Sequence, residues 1–363
     1  MRPIFQSILV RAAKRATSVD QQLRKCSTGA LVDSHGRVHD YLRISLTEKC
    51  SFRCTYCMPD EGVPLTPKEL LLTSDELKRL IDVFVSLGVT KVRLTGGEPL
   101  LRKDIVDIVR YLRSKVSINK IGITTNGLVL SRNLTSLVAA GLSHVNISLD
   151  SLMPEKFESI TRRRGFQNVL RAIFEAEKIV HTKINCVVMR NLNENEVPAF
   201  VELTRDHNIE LRFIEYMPFD GNRWSWERLV PQKELEERIR SFVPDAIALP
   251  LEANHTAKMF TSPSHRGRWG FISSMSQAFC SSCNRLRLTA DGSLRSCLFS
   301  SRNDELPLVE VLRNSPASDR QDVDELLRRK IRNHLLKKHF SHGGMEVRSL
   351  SRQKNRPMIT IGG

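Results

Sequence analysis

The stretch TKVRLTGGEP (residues 90–99) decides the fold class, because a short β-rich run ends there in two glycines and an acidic residue. Comparable runs recur along the chain: KIGITTNG (120–127), HVNISLDS (144–151), KINCVVMR (183–190) and LRFIEYMP (211–218). Strands that alternate with helices predict βα units and a parallel sheet. Five or six units fall short of the eight in a closed barrel. The sequence therefore predicts an α/β fold, an incomplete (β/α)6 barrel of the TIM type.

Two of the segments between these runs have helical periodicity. Thr73 and Glu76 carry the signature of a capping box at the start of the first segment. The apolar stripes that follow are Leu77, Leu80, Ile81 and Phe84 in the first segment, and Ile105, Ile108, Val109 and Leu112 in the second. Spacings of three and four residues predict helices that bury one face against the sheet.

The ends of the predicted strands carry unusual residues. In parallel α/β folds, chemistry gathers at the C-terminal ends of the strands. The residues at these ends are Gly96, Gly97 and Glu98, then Thr124 and Asn126, then Ser148 and Asp150. After about residue 245 the pattern changes to a polar connection (261–270), a second cysteine group and a basic helical segment. We therefore predict a barrel over residues 38–245 and a C-terminal extension over 246–363.

The charge distribution separates the ends of the chain from its middle. The 363 residues carry a net charge of +16, of which +5 lies in residues 1–31 and +9 in residues 328–363. Residues 1–31 contain one acid and many basic and hydroxyl side chains, which predicts a mitochondrial transit peptide, with a basic tail as the alternative. An aromatic content of 6% disfavours nucleic-acid binding by stacking. No apolar run is long enough for a membrane span.

Cys50, Cys54 and Cys57 form a CxxxCxxC motif directly after the first strand. A 4Fe-4S cluster takes four ligands, so a loop with three thiolates leaves one iron open to a small molecule. Zinc is the competing metal, but a structural zinc site requires four ligands and no histidine lies near this triplet. The chain shows no secretory signal, so its eight cysteines do not indicate a disulfide framework.

A second triplet, Cys280, Cys283 and Cys297, has CxxC spacing followed by a more distant third cysteine. Spacing alone leaves two interpretations open. One is a second cluster, and the other is a zinc site completed by His255 or His265. The two remaining cysteines, Cys26 and Cys186, are expected to be inert.

The cysteine loop, the GGEP motif (96–99) and a partial parallel barrel together resemble the radical S-adenosylmethionine (SAM) superfamily. The second triplet within CSSCNRLRLTADGSLRSCLF (280–299) and the final Gly362-Gly363 narrow this resemblance to the molybdenum cofactor biosynthesis protein A family, the GTP 3',8-cyclases. The resemblance covers residues 38–363. It implies a radical SAM barrel with a C-terminal extension that carries a second cluster.

The resemblance implies a cofactor site at the first triplet. Cys50, Cys54 and Cys57 would hold a 4Fe-4S cluster whose open iron binds SAM, and reductive cleavage of SAM would start the reaction on GTP. The positions that match the family's SAM contacts are Tyr56, Gly97, Ser148 and Met217. A glycine allows close approach of a ligand to the backbone, and we expect the Glu98 carboxylate to accept a hydrogen bond from an ammonium group.

The resemblance also implies a GTP site at the second triplet, where Cys280, Cys283 and Cys297 would hold a second 4Fe-4S cluster. The positions that match the family's GTP contacts are Arg43, Arg93, Thr124, Lys183, Arg285 and Arg287, with Lys91 and Arg212 as less certain neighbours. Guanidinium groups suit a triphosphate. Isolated cations are usually solvated surface charges, but Lys91 and Arg93, and also Arg285 and Arg287, alternate on one face of a strand.

The tail RPMITIGG (356–363) is expected to dock in the active site, as in the family. The implied partners are a one-electron reductant protein and the next enzyme of the pathway, cyclic pyranopterin monophosphate synthase, either fused or separate. The sequence leaves open whether the chain forms a homodimer. Two alternatives remain: a radical SAM enzyme with an auxiliary cluster that modifies a peptide, and a zinc-stabilised nucleic-acid-binding protein.

Overall fold

A computed structural model describes residues 29–59, 61–251, 255–315, 320–352 and 355–362. Nearly all of the predicted transit peptide, with Cys26, lies outside these residues. Leu31, at the end of that segment, is buried, and its carbonyl accepts a hydrogen bond from the backbone N–H of His39 at 2.8 Å. The described chain thus begins within a packed part of the fold.

Twelve strands of the described residues form one sheet. They are β1 (Tyr41–Ser45), β2 (Lys91–Thr95), β3 (Lys120–Thr125), β4 (His144–Ser148), β5 (His181–Val188), β6 (Glu210–Glu215), β7 (Ile247–Ala248), β8 (Lys258–Thr261), β9 (Arg268–Ile272), β10 (Arg285–Leu288), β11 (Ser293–Arg295) and β12 (Leu306–Pro307). Their order is β12-β11-β10-β1-β2-β3-β4-β5-β6-β9-β8-β7. The five strands predicted outward from residues 90–99 are confirmed as β2 to β6.

The helices of the described residues connect these strands. They are α1 (Ser74–Ser86), α2 (Ile105–Arg113), α3 (Leu130–Ala139), α4 (Pro154–Thr161), α5 (Phe166–Ala176), α6 (Val197–Asp206), α7 (Gln232–Phe242), α8 (Leu308–Arg313), α9 (Arg320–Leu336) and α10 (Met358–Ile361). The predicted capping box is confirmed, because the Thr73 side chain accepts from the N–H of Glu76 while the Glu76 carboxylate accepts from the N–H of Thr73. Both predicted apolar stripes are buried.

The run of parallel strands is open. Strands β10, β1 to β6 and β9 are parallel to their neighbours, and antiparallel strands flank them on both sides. The C-terminal region therefore supplies one strand to each end of the six-strand barrel, β10 beside β1 and β9 beside β6. The predicted boundary near residue 245 stays a prediction, but the sheet continues across it. Strand β9 begins inside the segment that was predicted to be a polar connection.

Alternation along the strands gives the barrel two different faces. Apolar side chains such as Ile44, Leu94 and Ile123 are fully buried between the sheet and the helices. The intervening residues are polar and line the lumen: Tyr41 and Arg43 on β1, and Lys91 and Arg93 on β2. A period of two along each strand produces this separation. The polar lumen is therefore the place for a polar ligand.

No helix of the described residues is long and apolar enough to cross a membrane.

Candidate active site

The lumen of the barrel is one deep cavity with a volume of about 310 Å³. Its walls include the three cysteines of the first triplet, together with all of the positions predicted to contact SAM or GTP, namely Tyr56, Gly97, Ser148, Met217, Arg43, Arg93, Thr124, Lys183, Arg285 and Arg287. Residues from eight parallel strands and from the C-terminal segment thus meet around one space. Their individual roles stay predictions.

The first cysteine triplet lies on the loop after β1. A tight turn forms this loop, in which the Cys54 carbonyl accepts from the N–H groups of Cys57 and Met58 at 2.9 and 3.0 Å. The Cys50 sulfur accepts from the N–H of Phe52 at 3.4 Å and lies 3.9 Å from the Asn126 amide nitrogen. Donors directed at a sulfur stabilise its thiolate form. The loop therefore suits a metal cluster held by thiolates.

The two glycines of the GGEP motif pack against this loop. A Cβ atom on Gly96 would lie 2.4 Å from the Thr47 carbonyl oxygen, and a Cβ atom on Gly97 would lie 2.4 Å from the Lys49 carbonyl oxygen. Any side chain here would displace the backbone that leads into the cysteine triplet. The sequence interpretation gave these glycines a role in ligand approach. The structure shows that they also allow the close approach of two backbone segments.

Glu98 has a structural role that the sequence did not predict. Its side chain is fully buried, and its carboxylate accepts from the N–H of Leu100 at 3.0 Å, the hydroxyl of Thr125 at 2.7 Å and the N–H of Asn126 at 2.7 Å. Burial raises the pKa of Glu98 to about 7. The expectation that it accepts from an ammonium group of a ligand stays a prediction; in the structure, three donors of the protein contact its two oxygens. Glu98 joins the end of β2 to the turn after β3.

Asp150 is a second buried carboxylate near the first triplet. It is buried in the cavity wall, where it accepts from the N–H of Val187 at 2.9 Å and forms a hydrogen bond with the Tyr56 hydroxyl. Burial raises the pKa of Asp150 to about 6. Burial also raises the pKa of Cys54, and the Asp150 carboxylate adds to this effect. The first triplet therefore lies in a negative environment.

Three arginines form a layer across neighbouring strands at the opposite side of the lumen. Register places Arg43 of β1 beside Arg287 of β10 on one side and beside Arg93 of β2 on the other. The next strand has Gly122 at this level, and a Cβ atom there would lie 3.0 Å from the Arg93 guanidinium. Gly122 thus leaves room for the Arg93 side chain to extend across β3.

Tyr41 lies one layer away, among the same cations. Its hydroxyl accepts from Arg93 Nε at 2.6 Å, and the Arg285 guanidinium lies 5.9 Å from the centre of its ring. Burial alone would raise the pKa of Tyr41, but Arg93, Arg43 and Arg285 outweigh burial and lower the pKa to about 7. A concentration of positive charge strong enough to acidify a phenol is a site for an anion.

Lys183 and Arg212 line the lumen beside a buried carboxylate. The Lys183 ammonium donates to Glu210 at 2.5 Å, and Arg212 Nε lies 3.9 Å from the same carboxylate. Arg268 also donates to Glu210, at 2.7 Å. Burial, followed by the charge of Arg212, lowers the pKa of Lys183 to about 8. Glu210 thus neutralises part of the positive charge at this end of the lumen.

Several buried polar atoms in the lumen lack a hydrogen-bond partner among the described residues. They are Thr124 Oγ1, Asn146 Oδ1, Asn185 Oδ1 and Arg212 Nε. All four residues line the cavity. Buried polar atoms are normally satisfied, so an orphaned set around one space indicates a polar ligand. Thr124 was predicted as a GTP contact.

The second cysteine triplet lies next to β10, the strand that carries Arg285 and Arg287. Cys280 and Cys283 precede β10, and Cys297 follows β11, which is antiparallel to β10. The three thiols are close enough that Cys297 and Cys283 each raise the pKa of Cys280, although burial contributes most. The histidines of the zinc alternative lie elsewhere: His255 lines the cavity, and the His265 ring packs against Trp269 at the start of β9. In the described part of the chain, no three His, Cys, Asp or Glu side chains form a single-ion site.

The described end of the chain docks on the cavity, as expected. The carbonyl of Gly362 accepts from Arg287 Nη1 at 3.1 Å, and Met358 and Ile359 line the lumen. Arg356 fixes this segment by donating to Glu305 and Asp291, at 2.5 and 2.8 Å respectively. Gly363 lies outside the described residues.

Tyr41, Gly122, Asn146 and Glu210 were not identified as site residues from the sequence. The signal for them was the period of two along each strand. Tyr41 is two residues before Arg43, and Glu210 is two residues before Arg212. The predicted strand 211–218 begins one residue after Glu210, so its extension by one residue would have included this side chain.

Comparison with known proteins agrees with this geometry. The Radical SAM superfamily model matches residues 44–204, and the Molybdenum Cofactor Synthesis C model matches residues 209–343. Among solved structures, Streptococcus suis SuiB bound to S-adenosylmethionine superposes with a TM-score of 0.58 at 15% identity, over 90% of this chain and 78% of that one. At this identity the likeness shows the fold alone. The fold and the three-cysteine loop define a radical SAM protein.

Two relatives are informative about the family. GTP 3',8-cyclase, mitochondrial, of Arabidopsis thaliana is 46% identical over 98% of this chain and 89% of the relative. Molybdenum cofactor biosynthesis protein 1 of Bos taurus is 51% identical over 91% of this chain, but this chain spans only 51% of that relative's length. The chain belongs to the GTP 3',8-cyclase family of molybdenum cofactor biosynthesis. Membership sets aside the peptide-modifying and zinc-protein alternatives.

Proposed function

We propose that this chain is a radical SAM GTP 3',8-cyclase that converts GTP to 3',8-cH2GTP, the first intermediate of molybdenum cofactor synthesis. The single observation that carries the proposal is the composition of one cavity, which has three thiols at one end and a cluster of arginines around Tyr41 at the other. A thiolate-bound cluster with SAM and an anionic nucleotide would thus share one enclosed space.

Two clusters and SAM fit the residues present. Cys50, Cys54 and Cys57 would hold the first 4Fe-4S cluster, and Cys280, Cys283 and Cys297 the second. Each set offers three sulfur donors to a cubane that takes four ligands, which leaves one iron of each cluster for a small molecule. When bound, the first cluster and SAM supply the one-electron chemistry that removes hydrogen from GTP. Tyr56, Gly97, Ser148 and Met217 would contact SAM.

The arginine layer supports a triphosphate. A triphosphate carries about four negative charges, and guanidinium groups bind its oxygens with paired, charge-assisted hydrogen bonds. Arg43, Arg93 and Arg287 lie side by side on three strands, so their positions are set by the sheet. Burial lowers the pKa of Arg43 and of Arg287, and neighbouring arginines lower it further. An anion would relieve this mutual repulsion, which makes the layer a binding site.

The polar side chains one level nearer the C-terminal ends of the strands would position the rest of the nucleotide. Thr124 and Lys183 lie at one level of the sheet, because Thr124 of β3 is beside Asn146 of β4, and Asn146 is beside Lys183 of β5. These groups offer both donors and acceptors to ribose hydroxyls. The side wall formed by Met358 and Ile359 limits the access of water to this space.

The proposal includes a cellular setting. The basic, hydroxyl-rich segment 1–31 and the name of the Arabidopsis relative support a location in the mitochondrial matrix. A one-electron reductant protein would supply the electron for SAM cleavage. The product would pass to cyclic pyranopterin monophosphate synthase. Because the chain spans about half the length of the mammalian relatives that it matches, this partner is proposed as a separate protein or a fused one.

Anaerobic reconstitution followed by an assay with GTP, SAM and dithionite tests the proposal. The expected result is about eight irons per chain, formation of 5'-deoxyadenosine and a cyclised GTP product. Cys283→Ser should bind about half of this iron. A chain that binds one cluster, or that forms no 5'-deoxyadenosine in the presence of GTP, would contradict the proposed activity.

A further inference from the structure

Two cations from distant parts of the sequence hold the turn that carries the second triplet. Arg37 Nη1 donates to the Cys280 carbonyl at 2.7 Å. The Lys338 ammonium lies 3.6 Å from the Cys283 sulfur and donates to the Arg285 carbonyl at 3.3 Å. Lys338 comes from the segment after α9, which no motif in the sequence singled out. Its ammonium group directly contacts the sulfur of a predicted cluster ligand.

The burial of Lys338 requires a nearby negative charge. Only 4% of its surface is exposed, and no carboxylate among the described residues forms a salt bridge with it. Burial lowers the pKa of Lys338, and the nearby Cys283 and Cys297 act in the opposite direction. A buried ammonium without a counterion is strongly destabilising. Lys338 is therefore placed to compensate negative charge on the second triplet.

The other charged groups near the second triplet do not cancel the positive charge of Lys338. The partly buried Cys283 sulfur has two cations in its surroundings, because Lys338 contacts it and Arg285 follows two residues along the chain. Asp33 is a carboxylate that acts on Lys338, and it is already engaged by Arg37 at 2.6 Å and by His39 at 3.0 Å. Its charge is therefore largely neutralised within that group. Asp33 therefore does not cancel the positive charge of Lys338 next to the Cys283 sulfur.

We propose that Lys338 is a positioning and electrostatic residue that makes the second cluster easier to reduce, by donating a charge-assisted hydrogen bond to the Cys283 sulfur. The inference rests on the proposed function, because it requires a cluster on the second triplet. Reduction adds one electron to the cluster, supplied by the reductant, while the proton stays on Lys338. A nearby positive charge and a hydrogen bond to a ligand sulfur both favour the more negative, reduced form.

A redox titration isolates this effect. The full chain with Cys50→Ala, Cys54→Ala and Cys57→Ala lacks the first triplet, so that iron and sulfide added anaerobically load only the second. Lys338→Met is compared in this background with Lys338→Arg, which keeps the charge, and with Lys337→Met, which removes an exposed neighbouring charge. The reduction potential is read by electron paramagnetic resonance during titration with dithionite.

The expected result is a fall in the reduction equilibrium constant of about tenfold or more for Lys338→Met, which corresponds to about 59 mV for a one-electron couple. Lys338→Arg should stay near the parent, and so should Lys337→Met. Equal potentials for Lys338→Met and Lys337→Met would overturn the inference. If Lys338→Met loads no cluster, Lys338→Gln, which keeps an N–H donor without the charge, provides the same comparison.

A second readout separates the electrostatic role from a structural one. Removal of an uncompensated buried charge should leave the melting temperature of the cluster-free Lys338→Met chain unchanged or raise it. A lower melting temperature with an unchanged potential would assign Lys338 to the fold alone and overturn the inference. A parent chain that binds no iron and sulfide would instead overturn the second cluster itself, and would do so before any Lys338 variant is compared.

Discussion

The two cysteine triplets offer the same donors in opposite electrostatic surroundings. The first lies beside the buried carboxylate of Asp150, which helps to raise the pKa of Cys54 and Cys57. The second lies among Lys338 and the β10 arginines, which lower the pKa of Cys283. The number of sulfur ligands is equal, so the difference comes from the neighbours. Equal ligand sets can therefore support different chemistry, since surrounding charge controls both thiolate stability and reduction potential.

The largest expected effect comes from the loss of a ligand in one triplet or the other. Cys50→Ser should abolish the reductive cleavage of SAM, because the first cluster loses one of three protein ligands. Cys283→Ser should abolish cyclisation of GTP, while 5'-deoxyadenosine still forms from SAM. Product analysis by chromatography after anaerobic reaction checks both variants. Loss of SAM cleavage in both would show that the triplets do not have separate roles.

The cations near the second triplet should affect the nucleotide and not SAM. Arg285→Ala should weaken GTP binding by about 10- to 150-fold, as expected for the loss of a charge-assisted hydrogen bond worth about 1.5–3 kcal/mol. Equilibrium binding of GTP to the reconstituted protein measures this change, with Arg240→Ala on the exposed face of α7 as the matched control. The iron content of the first cluster should stay the same. Normal GTP affinity in Arg285→Ala would remove this arginine from the phosphate site.

A substitution at Asp150 tests whether the negative charge beside the first triplet affects the first cluster. Asp150→Asn keeps an oxygen that can accept from the N–H of Val187 and removes the charge beside the first triplet. We expect the first cluster to become easier to reduce, in the opposite direction to Lys338→Met at the second. A redox titration of the Cys280→Ala, Cys283→Ala, Cys297→Ala background measures this shift. An unchanged potential would mean that the Asp150 charge does not reach the cluster.

The smallest expected effect is the pH dependence of GTP affinity that ionisation of Tyr41 causes. With a pKa of about 7, the phenol becomes a phenolate as pH rises through neutrality, and its negative charge then opposes the cations around it. GTP affinity of the parent should therefore fall relative to Tyr41→Phe between about pH 6 and pH 8. The terminal phosphate titrates in the same range, so the ratio of the two dissociation constants is the informative quantity. A ratio that does not change with pH would contradict the lowered pKa.

Much of the fold followed from local patterns. Five strands, two apolar helix faces and the capping box at Thr73 were predicted, because each depends on residues within a few positions of one another. The strands contributed after residue 245 were not predicted. Strand β9 pairs with β6 across more than fifty residues, and its short sequence RWGFI begins within a segment rich in Ser, Pro, His and Gly that predicted a connection. Pairing at such distance depends on the sheet edge that is available.

The candidate site likewise contains residues that were predicted from the sequence and residues that were not. Cysteine spacing identified the first triplet, and the resemblance to the family supplied the predicted SAM and GTP contacts that line the cavity. The structural role of Glu98 was not identified, because its side chain points to the turn after β3 while its neighbour in sequence, Gly97, lines the cavity. Lys338 was not identified at all. Its position beside Cys283 results from the packing of the segment after α9 against the turn before β10.

The sequence by itself determined the ligands and the periodicity: two sets of three thiols, and strands whose alternate residues are polar. Tertiary structure decided which of these groups meet. Arg43, Arg93 and Arg287 form one layer because the parallel register aligns three strands that are far apart in the chain. The charge around each triplet was likewise decided by packing, since Asp150 and Lys338 approach from other segments. Spacing along a chain encodes local chemistry, whereas an electrostatic field sums over every group brought near in space.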